Sequence, residues 1–107
     1  MFGFGPKMAT INARELQARL EQGEKPLIVD VREDWEYREG HIPGSVLKPL
    51  MQIRNWMKDL PKDQEVVLVC RSGARSAQAY QFLAAQGFTN LKNMTGGMVT
   101  WRGAVAR

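Results

Sequence analysis

Two short runs of branched apolar residues constrain the fold more than any other feature of the sequence. They are PLIVDVR at residues 26–32 and EVVLVC at residues 65–70. Each run is too short and too rich in β-branched residues for a helix, so we predict two buried β-strands. FTNLKNM at residues 88–94 predicts a third strand.

Segments with helical signals separate these strands. Residues 10–26 predict a helix in which Asn12 and Glu15 form a capping box and which Gly23 ends. HIPGSV at residues 41–46 predicts a turn. Further helices are predicted at residues 33–40, 51–61, 76–87 and 96–103. Strands that alternate with helices favour a parallel sheet covered on both faces.

Length and composition indicate one globular domain. A chain of 107 residues with 44% hydrophobic and 24% charged residues can bury a single core, which argues against disorder. We expect residues 10–107 to form this domain and residues 1–9 to be an N-terminal tail or edge segment. No apolar run approaches the roughly 20 residues of a membrane span, and the opening MFGFGPKM lacks the apolar region of a signal peptide. We therefore expect a cytoplasmic protein with no membrane partner.

Charge and cysteine content narrow the function further. The net charge is +4, but acidic and basic residues are interspersed and no basic run contains aromatic residues. We therefore expect no nucleic-acid partner, whereas a mildly positive field suits small anions. The chain has one cysteine, Cys70, and one histidine, His41. A single cysteine cannot form an internal disulfide, and one cysteine with one histidine cannot build a zinc site unaided.

The lone cysteine lies where the second buried run passes into a small basic loop. Cys70 is followed by Arg71, Ser72, Gly73, Ala74, Arg75 and Ser76. In an open parallel sheet, ligands bind beyond the carboxyl ends of the strands, where this loop falls. The N-terminus of the next helix, the two arginines, the hydroxyl groups and a glycine-shaped backbone all favour negative charge there. We therefore predict that Cys70 is a nucleophilic thiolate; the alternative is an inert core cysteine.

Three sequence blocks, taken together, resemble a known family. They are CRSGARS at residues 70–76, DVREDWEYREGHIPGS at residues 30–45 and MTGGMVTW at residues 94–101. Their order and spacing resemble those of the single-domain rhodaneses, sulfurtransferases that carry sulfane sulfur as a cysteine persulfide. The resemblance covers nearly all of residues 10–103. The sequence departs from the family pattern at Ser45, Leu47 and Lys48.

The resemblance implies a fold, a site and a reaction. The fold is a doubly wound parallel sheet of five strands, flanked by helices on both faces. The site is a persulfide on Cys70 cradled by the amides of residues 71–76, with no metal and no organic cofactor. The thiolate takes sulfur from thiosulfate or a similar small anionic donor, sulfite leaves, and cyanide, a thiol or a protein cysteine accepts the sulfur.

Two rival functions share these features. A phosphatase or arsenate reductase also uses a cysteine–arginine loop at a helix N-terminus, but its loop is one residue longer than the loop between Cys70 and Arg75. A low-turnover sulfur carrier or sensing module for a protein partner would have the same fold and the same loop.

Residues outside the loop are given supporting roles. We expect Asp30 and Arg32 to pair with the backbone or each other and hold the walls of the site, because buried charges need partners; the alternative is direct contact with substrate. His41 is expected to be a hydrogen-bonding turn residue rather than a general base. Packing in the core or at the rim is expected for Trp35, Trp56, Trp101, Met94 and Met98. A solvated helix face is expected for Glu33, Asp34, Glu36 and Glu39.

Overall fold

The two branched runs lie at the centre of a five-stranded parallel sheet. A computed structural model describes residues 7–107 of the chain. All strand pairs are parallel, and the order across the sheet is β1-β5-β4-β2-β3. The strands are β1 (Thr10–Asn12), β2 (Leu27–Asp30), β3 (Val46–Leu47), β4 (Val66–Val69) and β5 (Leu91–Thr95).

Helices cover both faces of this sheet. They are α1 (Ala13–Glu21), α2 (Asp34–Glu39), α3 (Ile53–Trp56) and α4 (Ala74–Ala85), and a 3-10 segment, Gly97–Thr100, follows β5. Because successive strand residues face opposite sides of the sheet, β4 contributes side chains to two hydrophobic cores, one on each face. Leu68 packs with Leu83 of α4 on one face, whereas Val69 packs with Leu16 of α1 on the other. The predicted doubly wound α/β fold with five strands is therefore confirmed.

The two strands that the residue pattern missed are the shortest. β1 occupies residues that were predicted to begin the first helix, and Asn12 both ends β1 and caps α1. The predicted capping box is present, with Asn12 Oδ1 accepting from Glu15 N at 2.8 Å and Glu15 Oε1 from Asn12 N at 2.9 Å. β3 has two residues and begins inside the predicted turn at residues 41–46. Such short segments carry too little periodicity to be recognised.

Three predicted helices differ in extent from the observed ones. α3 is a single turn flanked by the 3-10 segments Leu50–Gln52 and Met57–Asp59. The segment predicted at residues 96–103 is the 3-10 segment Gly97–Thr100. α4 begins at Ala74, two residues before the predicted start, because Gly73 adopts φ 104° as its N-cap. The loop after Cys70 is correspondingly shorter than predicted.

The N-terminal expectation is only partly within the described residues. Residues 1–6 of the expected tail or edge segment lie outside them. Ala9 extends the edge of the sheet: its carbonyl accepts from Asn93 N at 2.9 Å and its N–H donates to the Tyr80 hydroxyl at 2.9 Å. Within residues 7–107, no helix has the length and apolar character needed to cross a membrane.

Candidate active site

Cys70 lies at the carboxyl end of the central strand. It directly follows β4 (Val66–Val69), and only 1% of its surface is exposed. α4 starts four residues later and points its N-terminus at the sulfur. The sequence therefore places the single thiol at the edge of the sheet where parallel α/β folds bind ligands.

Three hydrogen-bond donors converge on the Cys70 sulfur. Sγ accepts from Gly73 N at 3.1 Å, from Ser76 N at 3.3 Å and from Ser76 Oγ at 3.3 Å. Burial raises the pKa of the Cys70 thiol, but hydrogen bonds from the Ser76 hydroxyl and from the Ser76, Gly73 and Ser72 backbones outweigh it. The net result is a pKa below the ordinary value, so the thiolate is favoured. Backbone amides and one hydroxyl hold this charge.

The segment that follows β5, which begins with Gly96 and Gly97, packs against the cysteine loop. Met98 N donates to the Cys70 carbonyl at 2.9 Å and Val99 N donates to the Arg71 carbonyl at 3.1 Å. Gly97 has φ 62°, and a Cβ there would collide with the backbone of Arg71 and Ser72. The 3-10 segment Gly97–Thr100 thus packs directly on the cysteine loop. The Gly-Gly dipeptide at residues 96–97 was the only sequence signal of this close approach.

Asn93 on β5 is a second support that the sequence did not reveal. Its side-chain Nδ2 donates to the Gly73 carbonyl at 3.3 Å, and the residue is buried. Its Oδ1 is buried without a hydrogen-bond partner among the described residues. Asn93 therefore fixes the glycine whose N–H binds the sulfur.

The two loop arginines have different surroundings. Arg75 is tied to Glu36 of α2 by two hydrogen bonds, Nη1 to Oε1 at 2.7 Å and Nη2 to Oε2 at 2.8 Å. Arg71 is exposed, and no carboxylate in residues 7–107 lies within ion-pair distance of it. Of the two cations, Arg71 is the one left free to meet an anion in solution.

Glu36 corrects one sequence prediction. It was assigned to a solvated helix face, yet it is 7% exposed. The hydrogen bonds from Arg75 lower the pKa of Glu36 to about 2, against the effect of burial and with help from the Glu33 backbone. Its carboxylate also accepts from Glu33 N at 2.9 Å and so completes a capping box for α2. The long-range partner explains why a carboxylate is buried here. Glu33, Asp34 and Glu39 are exposed as predicted.

Asp30 and Arg32 pair with each other, as expected. Arg32 Nε and Nη2 donate to the Asp30 carboxylate at 2.8–3.1 Å, and Nη2 also donates to the Gly40 carbonyl at 2.8 Å. Both residues are buried. This pair links the end of β2 to the end of α2, and neither side chain donates to the Cys70 sulfur. A wall role for the pair stays a prediction.

His41 lies in an isolated β-bridge two residues before the turn at Pro43 and Gly44 rather than in the turn itself. Its Nδ1 lies 2.8 Å from the Tyr37 carbonyl, and its ring stacks on Tyr37 with centroids 3.6 Å apart. Its backbone pairs with Ala106. Trp56, Trp101 and Met94 are buried and Met98 packs against the core, whereas Trp35 is 63% exposed and does not belong to the core.

The three departures from the family pattern are accommodated locally. Ser45 is buried and its hydroxyl donates to the Ile42 carbonyl at 2.6 Å. Leu47 belongs to β3, and Lys48 N donates to the Asp30 carbonyl at 2.8 Å. The described residues contain no cluster of three or more histidine, cysteine or acidic side chains suited to a metal ion.

Comparisons with known proteins agree with this architecture. The rhodanese-like domain family matches residues 12–104. A sulfurtransferase of Allochromatium vinosum is 41% identical over 91 residues, 85% of this chain and 85% of the relative. The thiosulfate sulfurtransferase GlpE of Pseudoalteromonas translucida is 36% identical over 81 residues, 76% of this chain and 77% of the relative. The crystal structure of a rhodanese-like domain protein from Staphylococcus aureus matches with TM-score 0.86 and 33% identity, over 92% of this chain and 97% of that one.

Proposed function

The chain belongs to the rhodanese-like domain family, and on that premise we propose that it transfers sulfane sulfur from thiosulfate or a similar anionic donor through a persulfide on Cys70. Relatives named as sulfurtransferases support sulfur transfer in general, and one of them is named for thiosulfate. The observation that carries the proposal is the convergence of three donors on the buried Cys70 sulfur. A free thiol of this kind persists in a reducing compartment, so we also propose a cytoplasmic location.

The first step forms the persulfide. The Cys70 thiolate attacks the outer sulfur of thiosulfate, the sulfur–sulfur bond of the donor breaks, and its electron pair leaves with sulfite. The Cys70 persulfide retains one negative charge. The N–H groups of residues 72, 73 and 76 and the Ser76 hydroxyl surround the reacting sulfur, and donors fixed in advance stabilise charge there without rearranging.

The second step returns the free enzyme. An acceptor nucleophile attacks the terminal sulfur, the bond to Cys70 Sγ breaks, and the electron pair returns to Cys70 as a thiolate. Cyanide becomes thiocyanate, and an acceptor thiolate becomes a persulfide. Arg71 is exposed and lies beside Cys70 in the chain, so it supplies the positive charge that attracts an anionic donor.

The arginine geometry argues against the phosphatase alternative. In the phosphatase alternative, the arginine of the cysteine–arginine loop would direct its paired N–H groups at the phosphate. In this chain both terminal nitrogens of Arg75 donate to Glu36. The low-turnover carrier differs from the enzyme only in its rate of turnover, so steady-state kinetics with thiosulfate and cyanide distinguish the two.

The direct test is intact mass after thiosulfate treatment. We expect the protein to gain the mass of one sulfur atom and to lose it on addition of cyanide, and Cys70→Ser to gain nothing. Because Cys70 is the only thiol, Cys70→Ser does not separate a special site from an ordinary thiol. Ser76→Ala keeps the thiol and removes one donor, so we expect it to form the persulfide at least 10-fold more slowly.

Two results would refute the proposal. One is addition of sulfur to Cys70→Ser. The other is hydrolysis of p-nitrophenyl phosphate by the native protein at a rate above its sulfur transfer, lost in Cys70→Ser, which would favour the phosphatase alternative.

A further inference from the structure

A cavity of about 620 Å³ lies next to the cysteine loop and has no part in the steps above. Its walls come from the carboxyl ends of β1 and β5, the start of α1 and the segment after β5. This volume is within the range of small-molecule and peptide sites and far larger than thiosulfate needs. The lining residues are Asn12, Ala13, Arg14, Gln17, Thr95, Gly96, Thr100 and Arg102.

The walls of this cavity favour an anion. They include two guanidinium groups, two hydroxyl groups and two amides, and no carboxylate. Arg14 is exposed, with no ion-pair partner in residues 7–107. Arg102 Nη1 donates to the carbonyls of Val99 at 3.2 Å and Trp101 at 3.3 Å. These bonds fix the Arg102 guanidinium and leave its other N–H groups available to a ligand.

Two acidic side chains of α1, Glu15 and Glu21, bind other groups and form no ion pair with Arg14 or Arg102. Glu15 accepts a hydrogen bond from Asn12 N at 2.9 Å in the capping box. Glu21 accepts from Gln17 Nε2 at 3.2 Å. No carboxylate lines the cavity, so Arg14 and Arg102 have no charge partner in its walls, and carboxylates are among the groups that guanidinium recognises with paired hydrogen bonds.

Gly96 connects this cavity to the sulfur site. A Cβ on Gly73 would lie 3.4 Å from Gly96 N, so the two backbones are in contact. Gly73 N in turn donates to Cys70 Sγ at 3.1 Å. An extended chain of three residues spans about 10 Å, so a short peptide can hold its thiol and its carboxylates that far apart.

We propose that the cavity lined by Arg14 and Arg102 binds the carboxylates of a peptide-like acceptor thiol and so selects acidic acceptors for the Cys70 persulfide. This inference rests on the proposed sulfur transfer. The acceptor thiolate attacks the terminal sulfur of the persulfide, the bond to Cys70 Sγ breaks, and its electron pair remains on Cys70. The acceptor leaves as a persulfide while its carboxylates occupy the cavity.

Two peptides that differ only in charge test the transfer. They are acetyl-Cys-Gly-Glu-Glu-amide and acetyl-Cys-Gly-Gln-Gln-amide, offered to thiosulfate-loaded protein in single-turnover experiments. We expect the acidic peptide to take sulfur at least 10-fold faster at low concentration. In Arg14→Gln/Arg102→Gln the ratio of the two rates should fall to about 1–2. Arg54→Gln removes the same charge from α3 and should retain the wild-type ratio.

Binding measured without chemistry separates this inference from the proposed function. The serine analogues of both peptides are titrated into unloaded protein and followed by amide chemical shifts. We expect the acidic analogue to bind at least 10-fold more tightly and to shift Thr95, Gly96 and Thr100. Arg14→Gln alone changes an exposed side chain, so it keeps the test valid if the double variant folds poorly. Equal affinity for both analogues would overturn the inference whether or not the persulfide forms. An equal loss of affinity for the acidic analogue in Arg14→Gln and Arg54→Gln would overturn it as well.

Discussion

Hydrogen-bond donors lower the pKa of the Cys70 thiol more than the arginines of the loop do, although Arg75 also interacts with the thiolate charge. The sequence predicted contributions from the helix N-terminus, the loop amides and both arginines. In the structure the principal causes that lower the pKa of Cys70 are hydrogen bonds from Ser76, Gly73 and Ser72. Arg75 is paired with Glu36 instead. The serines also differ, because the hydroxyl of Ser76 donates to sulfur and Ser72 contributes through its backbone.

The two serines give a matched test of this assignment. Ser76→Ala removes a donor to the thiolate, so we expect the inflection of the iodoacetamide alkylation rate to move to higher pH. A hydrogen bond to a charged group is worth about 1.5–3 kcal/mol, which corresponds to a shift of about one pH unit or more. Ser72→Ala leaves its backbone N–H in place and should alkylate as the wild type does. Equal shifts in both variants would contradict the role given to the Ser76 hydroxyl.

At the scale of elements, what the sequence predicts depends on how local the signal is. The strands containing residues 27–30 and 66–69 and the capping box of α1 follow from local patterns, and all were predicted correctly. The pairing of Glu36 with Arg75 joins residues 39 apart, so it depends on where α2 and α4 meet. The pattern of α2 alone shows only an acidic helix. The support of Gly73 by Asn93 is long-range for the same reason.

The contact between the 3-10 segment Gly97–Thr100 and the cysteine loop is testable through one glycine. Gly97→Ala forces a Cβ into the backbone of Arg71 and Ser72, so we expect the loop to shift and persulfide formation to slow at least 10-fold. Stability should fall by about 1–3 kcal/mol from backbone strain and overpacking. The measurements are the rate of mass gain with thiosulfate and urea unfolding.

Gly23→Ala is the matched control for this variant. Gly23 also has a positive φ, 88°, but a Cβ there would meet nothing within 4 Å. Gly23→Ala should be about 1 kcal/mol less stable than the wild type and should form the persulfide at the wild-type rate. If Gly97→Ala formed the persulfide as fast as Gly23→Ala, the segment would not shape the loop.

Across the whole molecule, two carboxylates form ion pairs between separate elements of the fold. Glu36 joins α2 to α4 through Arg75, beside the cysteine loop. Glu65, just before β4, pairs with Arg19 of α1 at 2.6 Å and with Lys92 of β5 at 2.9 Å. The hydrogen bonds from Arg19, together with those from Lys92 and against the effect of burial, lower the pKa of Glu65 to about 2. Charge pairs that need ionised carboxylates therefore link elements at the amino end of β4 and beside the cysteine loop at its carboxyl end.

These pairs predict that the protein loses stability in acid. Both carboxylates have a pKa of about 2 in the folded chain against an ordinary value of 4.5. Protons therefore bind the unfolded chain more tightly, and stability falls as the pH drops from about 4.5 towards 2.

Between pH 6 and pH 3 each carboxylate should account for a loss of at most about 2 kcal/mol in the free energy of unfolding, and for less where solvent screens the partner. Glu36→Gln and Glu65→Gln should each be less stable than wild type at pH 6 but should lose less stability on acidification. Glu36→Gln removes the ion-pair partner of Arg75, and Glu65→Gln removes that of Lys92 and one of the two partners of Arg19. Glu39→Gln changes an exposed carboxylate of α2 and should follow the wild type. The measurement is the free energy of unfolding in urea at pH 6 and pH 3 for the wild type and the three variants. If Glu36→Gln and Glu65→Gln lost as much stability between pH 6 and pH 3 as Glu39→Gln does, the acid sensitivity would arise elsewhere in the chain.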